Sequence, residues 1–402
     1  MGVWACGGVN TPKLPHSLTP TLLKGFIMTD FIFSTVGKLV FGAGRVRDIG
    51  AETAKLGSHV LLVTGKGFLE RSGHLAEITG YLSEAGLKIV TFADVPPEPT
   101  IDVAEAGIAK AREYGCDVVA AVGGGSAIDV GKTIAALAVA PASVGEYFHG
   151  RAIEGNGLPF IAVPTTAGSG AEVTQNAVLT DARGGVKASI RSSYMLADVT
   201  IVDPELMLTL PPVTTAYSGM DALCQAIEAF VSKGANPLTD ALAEDASARL
   251  IEYLPQAYAH GDDLDVRTEV ALGSLMSGIA LANARLGLVH GMAHPLGVLT
   301  GLPHGLICAL LLPDVIRYNL PVSAGKYARL ARRIGLADAG SLLTAVERLN
   351  KDMHIEERRP ELRTSQDKWP QIISQTLASG SSKSNPRSVT AEDVEKILEC
   401  DG

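Results

Sequence analysis

The sequence predicts an α/β half built on a mainly parallel sheet, followed by an all-helical half. Three observations carry this. Compact Val- and Leu-rich runs alternate with helical patterns at short spacing as far as residue 202. Two of those runs open directly into glycine-rich loops, and beyond Leu210-Pro211-Pro212 strand-like runs vanish. The expected layout is an extension over 1–27, an α/β domain over 28–210 and a helical domain over 211–402. At 402 residues there is room for two cores.

Residues 1–27 carry Pro12, Pro15 and Pro20, with no sustained apolar core of a secretory signal, and are expected to be a disordered or translation-start extension. The absence of arginine there disfavours an organellar transit peptide. Short apolar runs over 31–41 predict a pair of strands turned at Gly37-Lys38. Residues 46–56 read as helix. The run H-V-L-L-V-T over 59–64, closed by Gly65-Lys66-Gly67, reads as a buried strand. Helix over 75–85, strand over 88–92, a Pro-rich break at 95–99, helix over 101–114 and buried strand over 117–122 follow. Val122 then runs into Gly123-Gly124-Gly125-Ser126 and an apolar helix through Leu137. A strand, glycines and a helix start leave backbone N–H groups free for an anion. Only glycine lets a pyrophosphate approach that closely. A further strand over 159–163 ends in Pro164-Thr165-Thr166-Ala167-Gly168-Ser169-Gly170, a second small-residue loop at a strand's carboxyl end. The hydroxyls of Thr165, Thr166 and Ser169 are placed to reach ribose or phosphate. Either loop alone is as readily an ordinary turn; two on neighbouring strand ends favour a nucleotide.

Residues 175–202 read as strands and turns. Helices are then expected over 214–231, 237–259, 266–289, 306–318, 324–334 and 342–353. The tail over 356–385 is polar and weakly patterned, with Ser-Gly-Ser-Ser-Lys-Ser as a loop. A last helix over 390–398 is expected to start from a capping box between Thr390 and Asp393.

Bulk properties exclude several functions. A net charge of −9 argues against nucleic acid, and no uninterrupted apolar run reaches bilayer length. Five scattered cysteines without a C-x-x-C pair read as reduced thiols of a cytoplasmic protein.

Within the helical half, Asp221, His290, His294 and His304 are four potential metal ligands in a chain with nine histidines. Gln225 lies one turn from Asp221 on the same helix face, and His290 and His294 also stand four apart, with Pro295 expected to end the ladder behind them. A short carboxylate with neutral imidazoles from separate helices suits a divalent cation with an open position for substrate. Taken alone, a spacing of four favours a structural histidine pair in a helical core.

These pieces in this order resemble the iron-containing (group III) alcohol dehydrogenase family: G-G-G-S-A-I-D at 123–129, P-T-T-A-G-S-G-A-E-V-T at 164–174, I-V-D-P at 201–204, G-M-D-A-L at 219–223, G-L-V-H-G-M-A-H-P-L-G at 287–297 and L-P-H-G at 302–305. The likeness spans about residues 28–399. It implies the dehydroquinate synthase-like fold of that family, an α/β dinucleotide-binding domain plus an all-α domain, with metal and substrate in the cleft between them. It also implies NAD(P)-linked interconversion of small alcohols and aldehydes or ketones, usually in a homodimer or higher homo-oligomer. By resemblance Gly124, Gly125 and Ser126 hold the pyrophosphate and Thr165 and Thr166 line the cofactor site, with Asp129, Ser169 and Lys187 as further cofactor candidates. Asp221, His290 and His304 match the family's metal ligands. His294 matches a nearby histidine that is not usually a ligand and would either relay a proton or orient its neighbours.

Two departures matter. The family's usual fourth ligand, a histidine, is Gln225 here, whose amide oxygen is a weaker and harder donor. Related glycerol dehydrogenase and dehydroquinate synthase groups bind zinc with three protein ligands. The ion is therefore Fe²⁺ or Zn²⁺, with Gln225 ligating weakly or through water. Second, the position where NAD-preferring members carry an aspartate is Gly65, followed by Lys66, so NADP(H) is expected to serve at least as well as NAD(H). Lys66 reads equally as a plain surface lysine. Arg285 replaces a small residue and would narrow the cleft or add an anion contact.

A maleylacetate reductase-like or hydroxy-acid-specific activity is the nearest enzymatic alternative, and a non-catalytic nucleotide binder that has lost its metal is another. Gly131-Lys132-Thr133 fails as a Walker loop, because the position five before Gly131 is Ser126. Lys132 is expected to be solvated or on the cofactor side.

Overall fold

Six parallel strands in the spatial order β1 (Lys38–Phe41), β8 (Val199–Val202), β5 (Phe160–Pro164), β4 (Val118–Gly123), β2 (His59–Gly65) and β3 (Lys88–Val95) form the central sheet of a computed structural model that describes residues 30–399. The extension expected over 1–27 lies outside the described residues. Strand β1 (Lys38–Phe41) is followed by α1 (Ile49–Thr53), β2 (His59–Gly65), α2 (Phe68–Arg71), α3 (His74–Glu84), β3 (Lys88–Val95) and α4 (Ile101–Glu113). Then come β4 (Val118–Gly123), α5 (Gly125–Leu137), α6 (Val144–Phe148) and β5 (Phe160–Pro164). An antiparallel hairpin, β6 (Asn176–Asp181) and β7 (Val186–Arg191), stands apart from the main sheet, which closes with β8 (Val199–Val202). The middle strands are apolar on both faces because helices cover both, so Val60 to Val63 and Val118 to Val122 are fully buried.

Only one strand forms where a pair was expected over 31–41. β1 pairs with β8, far away in sequence, and Gly37 N–H already bonds the Ala197 carbonyl, so no hairpin turns at Gly37-Lys38.

The sheet supplies a reversal of winding between β2 and β4. From β2 the chain moves outward to β3, then returns to place β4 on the other side of β2. Ligands of open parallel sheets bind above such a reversal, at the carboxyl ends of the strands. Gly65-Lys66 and Gly123-Gly124-Gly125 leave the sheet at that point.

From residue 212 the structure is helical: α7 (Pro212–Val231), α8 (Pro237–Ala259), α9 (Leu264–Ala284), α10 (Leu288–Thr300), α11 (His304–Arg333), α12 (Ala339–Asp352), α13 (Trp369–Ala378), α14 (Gly380–Ser384) and α15 (Ala391–Glu399). Four expectations are corrected. The helix expected over 266–289 breaks after Ala284, where Arg285 adopts φ +66°, and α10 leaves at 101° to α9. Pro295 does not end the helix carrying His290 and His294, which runs on to Thr300. The two helices expected over 306–334 are one, with Pro313 and Pro321 inside it. Among the described residues α11 is the one single helix long and apolar enough to cross a bilayer, yet most of its apolar window is buried by the protein. In the tail, Ser-Gly-Ser-Ser-Lys-Ser folds as α14, with Ser382 and Ser384 buried. The box at α15 forms as expected: Thr390 N–H donates to Asp393 Oδ2 at 2.9 Å and Asp393 N–H to Thr390 Oγ1 at 3.2 Å.

Lys132 is neither solvated nor turned to a cofactor. Its ammonium is 1% exposed and donates to the carbonyls of Ala171, Thr174 and Asn176 at 2.6 to 2.9 Å. Burial pushes its pKa down to about 8, against the pull of Asp129 and Glu172. It pins the chain that follows the second small-residue loop to α5.

A candidate metal centre beside a nucleotide cleft

The two loops adjoin. Thr165 N–H donates to the Gly123 carbonyl at 3.0 Å, so the threonine loop lies alongside the glycine turn. Gly124 is the N-cap of α5 and no side chain caps it, which leaves the first N–H groups of a 13-residue helix facing the crevice. Gly124, Gly125, Ser126 and Thr166 are half-buried and Ser169 is exposed, whereas Thr165 is buried. Lys66 is exposed at the carboxyl end of β2.

Asp129 and Lys187 are engaged elsewhere. The buried Asp129 carboxylate accepts from Val178 N–H at 3.0 Å and so ties α5 to β6; burial raises its pKa to about 6. Lys187, on β7, pairs with Glu98.

The threonine loop also meets the helical half. A Cβ on Gly168 would stand 2.7 Å from Ser218 Cβ, so only glycine lets the loop rest on α7 one turn before Asp221. On α7, α10 and α11 three of the expected ligands converge. His290 Nε2 is 3.2 Å from Asp221 Oδ1, and His304 Nε2 is 3.8 Å from the same oxygen. Gly305 makes this meeting possible: a Cβ there would lie 2.2 Å from the Tyr217 carbonyl, so a larger residue would hold the start of α11 off α7.

Glu228, two turns beyond Asp221, supports the cluster from below. It is 3% exposed and accepts from Gly287 N–H at 2.9 Å, Val289 N–H at 2.7 Å and His290 Nδ1 at 2.7 Å. One carboxylate thus caps the N-terminus of α10 and fixes the tautomer of His290, turning Nε2 toward Asp221. Asn385, fully buried in the tail, accepts from Leu288 N–H at 3.2 Å and exchanges two hydrogen bonds with Asn319 on α11.

Gln225 and His294 complete the neighbourhood. Gln225 is 3% exposed, and among the described residues its Oε1 has no hydrogen-bond partner; nor has His304 Nδ1. The ring of His294 lies 5.4 Å from that of His304. Burial first, then the fields of His304, Lys187 and His290, hold His294 well below the ordinary imidazole pKa, so it stands neutral.

Cys308 was not anticipated. Its Sγ lies 3.6 Å from His304 Nε2 and 3.9 Å from His290 Nε2. Burial would raise its pKa, but Cys224, His304 and His290 together hold it well below the ordinary thiol value. Asp221, His290, His304 and Cys308 each offer one donor atom, all within 4.8 Å of one another. That donor set fits a divalent cation: one carboxylate, two imidazoles that can be neutral, and orphaned polar atoms around them. The sequence signals for the two missed residues are spacings alone, i+7 from Asp221 and i+4 from His304.

Family models match both halves: "Iron-containing alcohol dehydrogenase" over residues 37–204 and "Fe-containing alcohol dehydrogenase family, C-terminal" over 215–401. The chain belongs to the iron-containing alcohol dehydrogenases. Among relatives of this alcohol dehydrogenase, the NAD-dependent methanol dehydrogenase of Bacillus methanolicus is 33% identical over 92% of the chain and 99% of its own length. The NADPH-dependent butanol dehydrogenase of Clostridium saccharobutylicum is 33% identical over 86% and 92%. The crystal structure of a 1,3-propanediol oxidoreductase superposes with TM-score 0.89 at 36% identity, covering 93% of this chain and all of the other. This dehydrogenase is a metal-dependent, NAD(P)-linked oxidoreductase acting between small alcohols and their carbonyl products.

Proposed function

We propose that Asp221, His290 and His304 grip one divalent ion, Fe²⁺ or Zn²⁺, opposite a nicotinamide dinucleotide held on the two loops, and that the substrate is a small primary alcohol or its aldehyde. The observation that carries this is the convergence of three donors on α7, α10 and α11, with α7 itself resting on the threonine loop. When bound, the ion supplies Lewis-acid activation of the substrate oxygen, and the dinucleotide takes or gives the hydride. Everything else falls to the chain. Backbone N–H groups of Gly124, Gly125 and Ser126 orient the pyrophosphate, and the hydroxyls of Thr165, Thr166 and Ser169 position the dinucleotide beside them. Glu228 aims His290. Gln225 stays near the ion as a weak or water-mediated partner. The 28–210 domain contributes the dinucleotide site and the 211–402 domain the metal site, in a cytoplasmic homodimer or larger homo-oligomer. A panel of short alcohols and aldehydes, assayed by NAD(P)H absorbance with added Fe²⁺ or Zn²⁺, tests the reading; no turnover with any metal–cofactor pair would reject it.

His294 takes the substrate hydroxyl proton in oxidation and returns it in reduction, as a half-buried, neutral imidazole beside His304. His294→Ala is expected to lower kcat about 100-fold while the metal content stays at the wild-type level. Loss of metal along with activity would instead make it an orienting residue.

Dinucleotide choice follows from the end of β2. Gly65 offers no carboxylate to repel a 2′-phosphate, and exposed Lys66 stands next to it. NADPH is expected to match or exceed NADH in kcat/KM. Lys66→Ala should cost about tenfold with NADPH and leave NADH untouched. A wild-type preference for NADH of about a hundredfold would defeat the assignment.

A further inference from the structure

We propose that the thiolate of Cys308 is a fourth protein ligand of the divalent ion, taking the coordination role for which Gln225 is a poor donor. This rests on the reading of Asp221, His290 and His304 as the ion's ligands.

Position comes first. Cys308 stands one turn beyond His304 on α11, so both side chains project from one helix face. Its sulfur is within 4 Å of the Nε2 atoms of both histidines, the same nitrogens that face Asp221. The thiol is fully buried, and the partly exposed ring of His304 beside it is the nearest opening to solvent. Cys224 also comes near His290, at 3.9 Å, but on the Nδ1 side, which Glu228 already occupies at 2.7 Å. The second cluster of donors, Cys224, Glu228 and His290, is therefore the support of the first and not another site.

Chemistry agrees. Asp221 and a Cys308 thiolate would set two negative charges directly on a dication, whereas a set completed by an amide sets only one there, the Glu228 carboxylate standing behind His290. As the ion enters, the thiol proton leaves to solvent and sulfur donates the lone pair to the metal, with no change of oxidation state. A thiolate shifts preference from hard, oxygen-seeking ions toward zinc and cobalt.

The test is spectroscopic. The apo protein reconstituted with Co²⁺ is expected to show a near-ultraviolet thiolate-to-cobalt charge-transfer band. Cys224→Ser should keep the band, and Cys308→Ser should lose it while still binding one cobalt per chain. X-ray absorption on the wild-type zinc form should show one sulfur at about 2.3 Å among nitrogen and oxygen neighbours at about 2.0–2.2 Å. The absorption measurement needs no variant, so a misfolded serine substitution does not block it. Zinc affinity of Cys308→Ser should fall by more than the about 10–100-fold that outer-shell changes bring. Bound cobalt or zinc without a sulfur neighbour overturns the proposal and leaves the three-ligand centre standing. Failure of the wild type to bind either ion overturns both.

Discussion

Alanine at His290 is expected to remove the divalent ion and alcohol oxidation together. His290 joins both parts of the cluster, through Nε2 to Asp221 and through Nδ1 to Glu228. Without its ring, Asp221 loses its nearest imidazole and Glu228 keeps only the N–H groups of Gly287 and Val289, so two buried carboxylates stand with a gap between them. The expected loss in kcat/KM is on the order of a thousandfold or more, as befits removal of a group that holds a Lewis acid worth several kcal/mol to the reaction. Metal analysis of the purified variant beside steady-state kinetics checks it. Full turnover by His290→Ala after chelation would remove the metal from the mechanism.

Substitution of Glu228 is expected to cost both stability and metal binding, though this residue touches neither substrate nor dinucleotide in the assignment made above. Its carboxylate satisfies two N–H groups at the start of α10 and the Nδ1 proton of His290. Glu228→Ala leaves all three donors unpaired in a dry interior, at a cost of about 3–5 kcal/mol. Glu228→Gln keeps the volume and one acceptor, but presents an amide N–H where donors already converge. It should fold, with zinc affinity down about 10–100-fold. Chemical denaturation of the alanine variant and competitive zinc titration of the glutamine variant are the measurements. Zinc affinity unchanged in Glu228→Gln would mean that α10 holds His290 without help.

The parts of this molecule that read easily from sequence are those whose signals are local. Strands β2, β4 and β5 are unbroken apolar runs ending in glycine or proline, and helix α8 begins and ends where its pattern does. The histidines of the proposed centre are legible for a similar reason, since each sits in a short motif with glycine or proline beside it. What escaped depends on distant partners. Residues 266–289 keep a helical pattern through the real break, and nothing within them announces that Arg285 will turn left-handed. The new start of α10 is fixed by Glu228 and Asn385, from 59 and 97 residues away. Pro313 and Pro321 look like stops, yet the packing of α11 against α7 and α12 carries the helix through both. Cys308 reads as an ordinary core cysteine until the fold sets its sulfur beside two imidazoles.

The Asn385 contacts carry a practical consequence for anyone shortening or tagging this enzyme. Its side chain reaches Leu288 and Asn319, and the neighbouring Ser384 carbonyl accepts from Lys233 N–H at 2.9 Å. The stretch around residue 385 is thus stitched into the foundations of the helices that carry the proposed ligands. A stop codon placed before residue 385 would leave every histidine of the centre in the polypeptide and still disable its loading.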